Sequence, residues 1–264
     1  MLQLIFGIPP LVTLLLIEWA HITAILLFYK DGIIQLIFIH LLWGLFLWSF
    51  IQIMRTNAGK VEREPAITYT ISYRNGQQRF CHSCQTITPD RAHHCDICNT
   101  CVLRQDHHCP WLYNCVGLYT HKLFILFNFY GSLYCLLCCL TMTSYYPLFK
   151  LSNLELQFEL NVFMVMVASG LFSIALFIFF CLHFYYCLQN MTSMDAIGYP
   201  NTRFASRYKL NIFKLDTCRN LKSVFGESIL LWLVPIKPDL LCNGYEYEIN
   251  AQATELLEAF VDVE

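Results

Sequence analysis

Charge is scarce in this chain. Asp, Glu, Lys and Arg make up 14% of its 264 residues, where a soluble domain carries about a quarter. That scarcity excludes a disordered chain, which stays unfolded because it is polar and charged. A net charge of −2 and a pI near 6.5 exclude a broad basic face for nucleic acid. Glycine, at 11 residues, is too rare for a collagen repeat. A basic n-region and a clear small-residue cleavage site are also missing, so the first apolar run reads as a retained span rather than a signal peptide. What abounds is apolar surface: 56% hydrophobic residues, 16% aromatics and a mean hydropathy of +0.47. This is membrane-protein composition, with Tyr and Trp suited to the interfaces. Cysteine is the other excess, at 14 residues. In a secreted chain it would mean disulfides, and in reducing cytosol it means metal or catalysis.

A membrane span needs about 20 mostly apolar residues. Four segments qualify, at 4–29, 33–54, 123–149 and 162–188. Of the Lys and Arg residues, seven lie between spans two and three, seven follow span four, and one each (Lys30 and Lys150) lies in the two short turns. Lys122 sits at the mouth of span three. The positive-inside rule then puts the central loop and both termini in the cytosol. The expected organisation is a transmembrane hairpin at 1–54, a cytosolic cysteine-rich domain at 55–121, a second transmembrane hairpin at 122–188, and a cytosolic tail at 189–264.

Seven cysteines crowd into the central loop: Cys81, Cys84, Cys95, Cys98, Cys101, Cys109 and Cys115. Zinc favours four tetrahedral thiolate and imidazole ligands, and a Cys-x-x-Cys step lets one turn supply two. Three such steps fall within 21 residues here, and the loop also holds His82, His93, His94, His107 and His108. A segment this short and polar has little core in which to hide free thiols. Ile67, Tyr69, Ile71 and Tyr73 alternate with polar residues, and Asn75-Gly76 follows as a hairpin turn. The loop therefore reads as short β-hairpins held by two metals. Two Cys3His sites use six cysteines and leave one over. Spacing does not say which, but chemistry favours Cys109. It follows Asp106-His107-His108, and a nucleophilic thiolate wants an imidazole to take its proton and a carboxylate to orient that imidazole. Trp111, two residues on, is suited to the headgroup region.

These residues resemble a known family. Cys81-x-x-Cys84, Pro89-Asp90-Arg91-Ala92-His93-His94-Cys95, Cys98-x-x-Cys101, Asp106-His107-His108-Cys109-Pro110-Trp111 and Asn114-Cys115-Val116-Gly117 resemble the cysteine-rich domain of the DHHC protein S-acyltransferases, or palmitoyltransferases. The resemblance implies an all-α membrane protein of four transmembrane helices with a cytosolic two-zinc loop. It implies that Cys109 takes an acyl group from palmitoyl-CoA and passes it to a cysteine of a substrate protein. His107 would be the base and Asp106 its orienter. One structural zinc would take Cys81, Cys84, His94 and Cys101, and the other Cys95, Cys98, His108 and Cys115. The acyl chain would lie among the four helices, and a Golgi or endoplasmic reticulum membrane is the expected location. The partners would be the bilayer, the acyl donor and substrate proteins, with no nucleic acid.

Other signals depart from the family pattern. Its Thr-Thr-x-Glu becomes Thr192-Ser193-Met194-Asp195, with a shorter acid. Its Asp-Pro-Gly becomes Asn57-Ala58-Gly59, without the rigid proline. Asn220 matches a tail asparagine that would tie the tail to the membrane domain. Arg91, His93 and Lys122 are candidates for the phosphates of CoA, set against an ordinary solvated basic face. Glu18 and His21 lie one turn apart within span one, either as a satisfied pair or as a functional polar spot. His40 and His183 read as satisfied helix residues, and the span cysteines as small hydrophobes. Tyr145 and Tyr146 could close the acyl cavity. Two rival functions remain, a silent zinc-loop adaptor and an acyl-thioesterase using the same Cys and His. A scaffold has no use for the free Cys109, and no oxyanion or lid signature supports hydrolysis.

The sequon Asn190-Met191-Thr192 falls on the cytosolic side of this topology. It should stay unglycosylated: glycosidase treatment of the cell-expressed chain should leave its gel mobility unchanged, and a shift traced to Asn190 would overturn the orientation.

Overall fold

A computed structural model describes residues 7–28, 32–62, 79–149, 156–197, 211–252 and 254–255, with the side chains of 145–149 left aside. The alternating run at 67–73, the Asn75-Gly76 turn and the side chains of Tyr145 and Tyr146 lie outside the described residues. Among the described residues, four helices are long and apolar enough to span a bilayer: α1 (Ile8–Phe28), α2 (Ile33–Arg55), α3 (His121–Phe149) and α4 (Leu156–Leu188). The last begins six residues before the apolar run at 162, because Leu156 to Asn161 continues the helix with polar Glu159 and Asn161 on it. Between α2 and α3 come three two-stranded antiparallel ladders, β1–β2, β3–β4 and β5–β6. The short helices α5 (Ser193–Ala196) and α6 (Thr217–Phe225) follow α4.

The chain falls into two compact units. One comprises Met1–Gln52, Pro110–Tyr113 and Phe124–Leu182, and so holds most of the four long helices. Within it, α3 is the inner helix: 67% of its apolar window is buried, against 17–28% for the other three. The Phe46 ring of α2 meets Phe127 and Tyr134 of α3 at 4.9 and 5.9 Å. Gly131 makes that approach possible, since a Cβ there would stand 2.7 Å from the Phe46 ring. Ser173 of α4 donates to the Ser132 carbonyl of α3 (3.1 Å). Between α1 and α4, Trp19 Nε1 donates to Asn161 Oδ1 (2.8 Å) and Asn161 Nδ2 to Thr23 Oγ1 (3.0 Å). Glu18 and His21 turn toward α2 rather than toward each other. Trp43 Nε1 donates to Glu18 (3.3 Å), and His21 stacks on the Trp43 ring at 4.3 Å. Trp19, Asn161, Ser173 and Glu18 thus find hydrogen-bond partners on neighbouring helices, as burial in hydrocarbon favours.

The second unit comprises Ile53–Cys109, Asn114–Leu123 and His183–Glu264. Its small core gathers Val61, Ala92, Cys101, Leu103 and Leu118. The segment after α2 lies along the middle ladder, with Leu103 N donating to Gly59 O and Val61 N to Cys101 O. Asn57 replaces the missing proline rigidity by its side chain: Oδ1 accepts from Gly59 N (2.9 Å) and Lys60 N (3.0 Å), an Asx turn. Gly117 has no room for a side chain, because a Cβ would lie 2.7 Å from Val102 and 2.8 Å from the Ala58 carbonyl. At the tail, buried Asn220 donates to Leu188 O (2.9 Å) and Leu215 O (3.1 Å) and accepts from Leu215 N (2.9 Å). It thereby closes the C-terminal end of α4, whose last carbonyls have no helical donors.

Asn220→Ala leaves Leu188 O and Leu215 N buried without these partners, at about 1–3 kcal/mol per group. Thermal unfolding of the purified variant in detergent should show a clearly lowered midpoint, and an unchanged midpoint would refute this tie.

Candidate active site and metal clusters

The three ladders share one register. Phe80 pairs with Ile87, His94 with Cys101, and His108 with Cys115. Each ladder is the previous one moved on by 14 residues. The first knuckle cysteine recurs as Cys81, Cys95 and Cys109, and the second as Cys84, Cys98 and Leu112. The residue after each knuckle takes a left-handed backbone, with φ of 54° at Gln85, 49° at Asn99 and 48° at Tyr113. The sharp return this permits brings the next strand back.

Two four-residue clusters result, Cys81-Cys84-His94-Cys101 and Cys95-Cys98-His108-Cys115, each able to hold a metal ion. Each takes its Cys-x-x-Cys from one hairpin and its cross-strand His–Cys pair from the next. Tetrahedral zinc, with Zn–S near 2.3 Å and Zn–N near 2.05 Å, requires S···N of about 3.6 Å and S···S of about 3.8 Å. His94 Nδ1 lies 3.5, 3.2 and 4.0 Å from the sulfurs of Cys81, Cys84 and Cys101. His108 Nδ1 lies 3.6, 3.3 and 3.6 Å from Cys95, Cys98 and Cys115, and Cys98 Sγ lies 3.5 Å from Cys115 Sγ. The donors therefore stand at zinc-like separations. Backbone N–H groups of Cys84 and Cys98 point at the sulfurs of Cys81 and Cys95, both at 3.4 Å.

Cys109 occupies the knuckle position of the third copy, but among the described residues no fourth hairpin shares it, and Leu112 replaces the second thiol. It is 8% exposed and hydrogen-bonded to His107. His107 Nδ1 is bonded to Asp106 Oδ1 at 2.7 Å. Burial alone pushes the His107 imidazole down, but the bonds and charges of Asp106 and Cys109 outweigh it and raise it to about 9. Burial likewise works against the Asp106 carboxylate, yet the His107 bond and the surrounding imidazoles hold it well below the usual range. Asp106 is locked by Ser193: its Oδ2 accepts from Ser193 N (2.7 Å) and its Oδ1 from Ser193 Oγ (2.9 Å). Asp106, His107 and His183 also gather as a third acid–imidazole group. Its separations of 2.7 and 4.0 Å about Asp106 Oδ1 match a hydrogen-bond cluster rather than a tetrahedral shell.

Thr192 and Asp195 hold Ser193 in place. Thr192 caps α5 in a capping box with Asp195. Asp195 Oδ2 accepts from Arg91 Nη2 at 2.8 Å, with Arg91 1% exposed. Burial raises this carboxyl and the Arg91 charge lowers it further, so it stays ionised. Arg91 also donates to Asn190 Oδ1 and its carbonyl (3.1 and 3.0 Å), and Arg104 donates to the same Oδ1 (3.1 Å). Arg91 is thus consumed by the fold rather than set on a solvated face. Lys122, 1% exposed, donates to Leu231 O at 2.7 Å. His93 is lowered to about 4 by burial and by Arg79 and Arg91, against a raising effect of Asp195. Trp111, 56% exposed, lies in the turn Pro110–Leu112, which packs on α1. Sequence reasoning did not single out the partnering roles of Ser193, Asn190, Arg104 and His183. Only Ser193 carried a signal, as the second hydroxyl of Thr-Ser-x-Asp. Asn114, quoted there only as part of a motif, donates to Ile53 O and Thr56 O at the end of α2 (2.6 and 2.8 Å).

A family model described as DHHC palmitoyltransferase matches residues 74–199. Palmitoyltransferase ZDHHC15A of Danio rerio is 30% identical over 89% of this chain and 82% of its own length. The chain belongs to the DHHC palmitoyltransferase family. Human palmitoyltransferase ZDHHC2 is 31% identical over 89% of this chain and 73% of its own length. Xenopus laevis palmitoyltransferase ZDHHC15 is 40% identical over 67% of this chain and 52% of its own length.

The raised His107 value favours the protonated imidazole in the folded chain. Its stabilising contribution is complete below the ordinary 6.5 and is lost as pH rises through about 9. The gap in thermal midpoint between the parent and His107→Gln should therefore be widest below pH 6.5 and shrink toward pH 9. A gap that stays constant across that window would contradict the His107–Asp106 coupling.

Proposed function

We propose that this protein S-palmitoyltransferase works through Cys109. The observation that carries the reading is the Cys109–His107–Asp106 chain of hydrogen bonds, placed where the repeat leaves a thiol outside both metal clusters. His107 holds the proton and Cys109 attacks as thiolate. In the first step Cys109 Sγ bonds to the acyl carbon of acyl-CoA, the C–S bond to CoA breaks, and His107 protonates the departing CoA thiolate. In the second step the now neutral His107 takes the proton of a substrate cysteine, whose thiolate attacks the acyl-Cys109, and the Cys109 thiolate departs. Both steps exchange one thioester for another, so neither needs a large driving force. Asp106 keeps the His107 ring turned and stabilises its charge, and Ser193 keeps Asp106 turned.

The two Cys3His clusters would each hold a structural zinc, which when bound fixes the hairpins and offers no open position for substrate. Palmitoyl-CoA would be the donor, with its chain solvated by the spans at about 0.8 kcal/mol per methylene. Arg91, His93 and Lys122 would need to break existing contacts to meet CoA phosphates, so we assign them to support of the fold. The loop at 55–121, the tail at 189–264 and both termini would face the cytosol, in a Golgi or endoplasmic reticulum membrane. The intact hydrogen-bonded thiol argues against a silent adaptor.

Purified protein incubated with labelled palmitoyl-CoA should take up hydroxylamine-sensitive label. Cys109→Ser should take up essentially none while keeping about two zincs per chain. Label on Cys109→Ser equal to the parent would remove Cys109 from the mechanism, and rapid loss of label to water without an acceptor would favour a thioesterase. A metal content near zero in the parent would sink the zinc assignment.

A further inference from the structure

Two buried imidazoles behind Asp106 take no part in the transfer steps. His121 is the first residue of α3, and His183 lies five residues before the end of α4 at Leu188. Both fall in the second unit, with Asp106, His107 and Cys109. His121 is 1% exposed and His183 3%. A buried imidazole gives up the hydration of its ring nitrogens, so it needs a partner or a purpose.

His121 Nε2 and His183 Nδ1 stand 3.3 Å apart, with their rings at 90°. The same His183 nitrogen lies 4.0 Å from Asp106 Oδ1. The His183 ring is 5.8 Å from the His107 ring and 5.7 Å from that of Tyr186. His183 thus stands against both members of the Asp106–His107 pair. Ser193 fixes Asp106 from α5, and His183 meets it from α4.

One proton lies between the two imidazoles, and the carboxylate decides which nitrogen carries it. Held on His183 Nδ1, it presents the positive end of an N–H dipole near an anionic oxygen. Held on His121 Nε2, it leaves a lone pair there instead. The Asp106 side chain is wholly buried, so water does not screen the difference. The proton therefore belongs on His183. His121 then carries its own proton on Nδ1, a buried atom with no hydrogen-bond partner among the described residues. An unpaired buried donor destabilises the fold. A role in positioning reacting groups is one reason such a donor persists.

We infer that His183 is a positioning residue of the transfer reaction. Its Nδ1–H, kept on that nitrogen by His121 and Asp106, steadies the carboxylate that aims His107 at Cys109. The inference rests on the assignment of Cys109 as the nucleophile.

The test uses the full chain, purified in detergent with its metal, and follows the first-order rate of label uptake from saturating palmitoyl-CoA. His183→Phe keeps a ring without the N–H, and His183→Asn keeps an N–H near the Nδ1 position without the ring. His183→Phe should acylate at least about tenfold more slowly, the loss expected when a charged group loses one polar contact. Its KM for palmitoyl-CoA should be unchanged, and His183→Asn should recover most of the rate. The amplitude of uptake reports the folded fraction, so a merely structural role would lower the amplitude and leave the rate constant alone. A parental rate constant in His183→Phe would overturn the inference, and so would a His183→Asn rate no better than that of His183→Phe. Cys109→Ser in the same assay separates the two claims. Uptake by Cys109→Ser equal to the parent removes the nucleophile assignment and this inference with it. A blank Cys109→Ser beside an unimpaired His183→Phe removes this inference alone. If His183→Phe does not retain about two zincs per chain, His121→Phe decides. It removes the partner of the His183 N–H and should also slow uptake, and a parental rate there would overturn the inference.

Discussion

The folded loop depends on donors from one hairpin being completed by donors from the next. Neither Cys-x-x-Cys knuckle has four ligands of its own, and neither His–Cys strand pair does either. Each cluster therefore binds two successive ladders, and the chain of three ladders becomes one body without a large hydrophobic core. The core that is present, around Val61, Ala92, Cys101, Leu103 and Leu118, is too small to orient three ladders by apolar burial alone. The 14-residue step explains both the coherence of the loop and the thiol left outside the two clusters. A repeat joined head to tail leaves a half-site unmatched at each end: here the Phe80–Ile87 strand pair of the first ladder and the Cys109 knuckle of the third.

The surroundings of that unmatched thiol are polar and fixed. Asp106 is buried, and a buried carboxylate costs several kcal/mol unless its oxygens are satisfied. His107 and Ser193 satisfy them. Ser193 lies at the start of α5, whose acid Asp195 is held by Arg91 from the loop. Loop and tail are thus joined twice, through Asp106–Ser193 and through Arg91–Asp195, with Asn190 receiving both Arg91 and Arg104. A change in the tail at Asp195 or Asn190 reaches His107 through this network without touching it. The shorter acid of Thr-Ser-x-Asp is no weakness, because Arg91 comes close enough to meet Asp195 at 2.8 Å.

Much of the architecture was legible in the residues themselves. Four apolar runs became four long helices because a span must satisfy its backbone internally. The Cys-x-x-Cys steps became metal-type knuckles because their spacing fits one turn. The reading of Asn57-Ala58-Gly59 as a loosened turn missed the side chain of Asn57, which bonds two backbone amides in place of a proline. Glu18 and His21 were one helical turn apart in sequence, but Trp43 on α2 is what they meet. His183 looked like an ordinary helix residue, and it stands beside Asp106. Such contacts join residues far apart in the chain, and no local periodicity encodes them.

The sequence by itself determined the number of spans, the presence of metal-type knuckles and the surplus of one thiol over two four-ligand sites. Those properties follow from composition and short-range spacing, which set hydrocarbon burial and ligand reach directly. Tertiary structure alone decided that Arg91 meets Asp195 and Asn190, that Lys122 meets Leu231 O, and that Ser193 donates to Asp106. Each of those depends on where a buried polar atom finds its partner, and that partner lies tens of residues away.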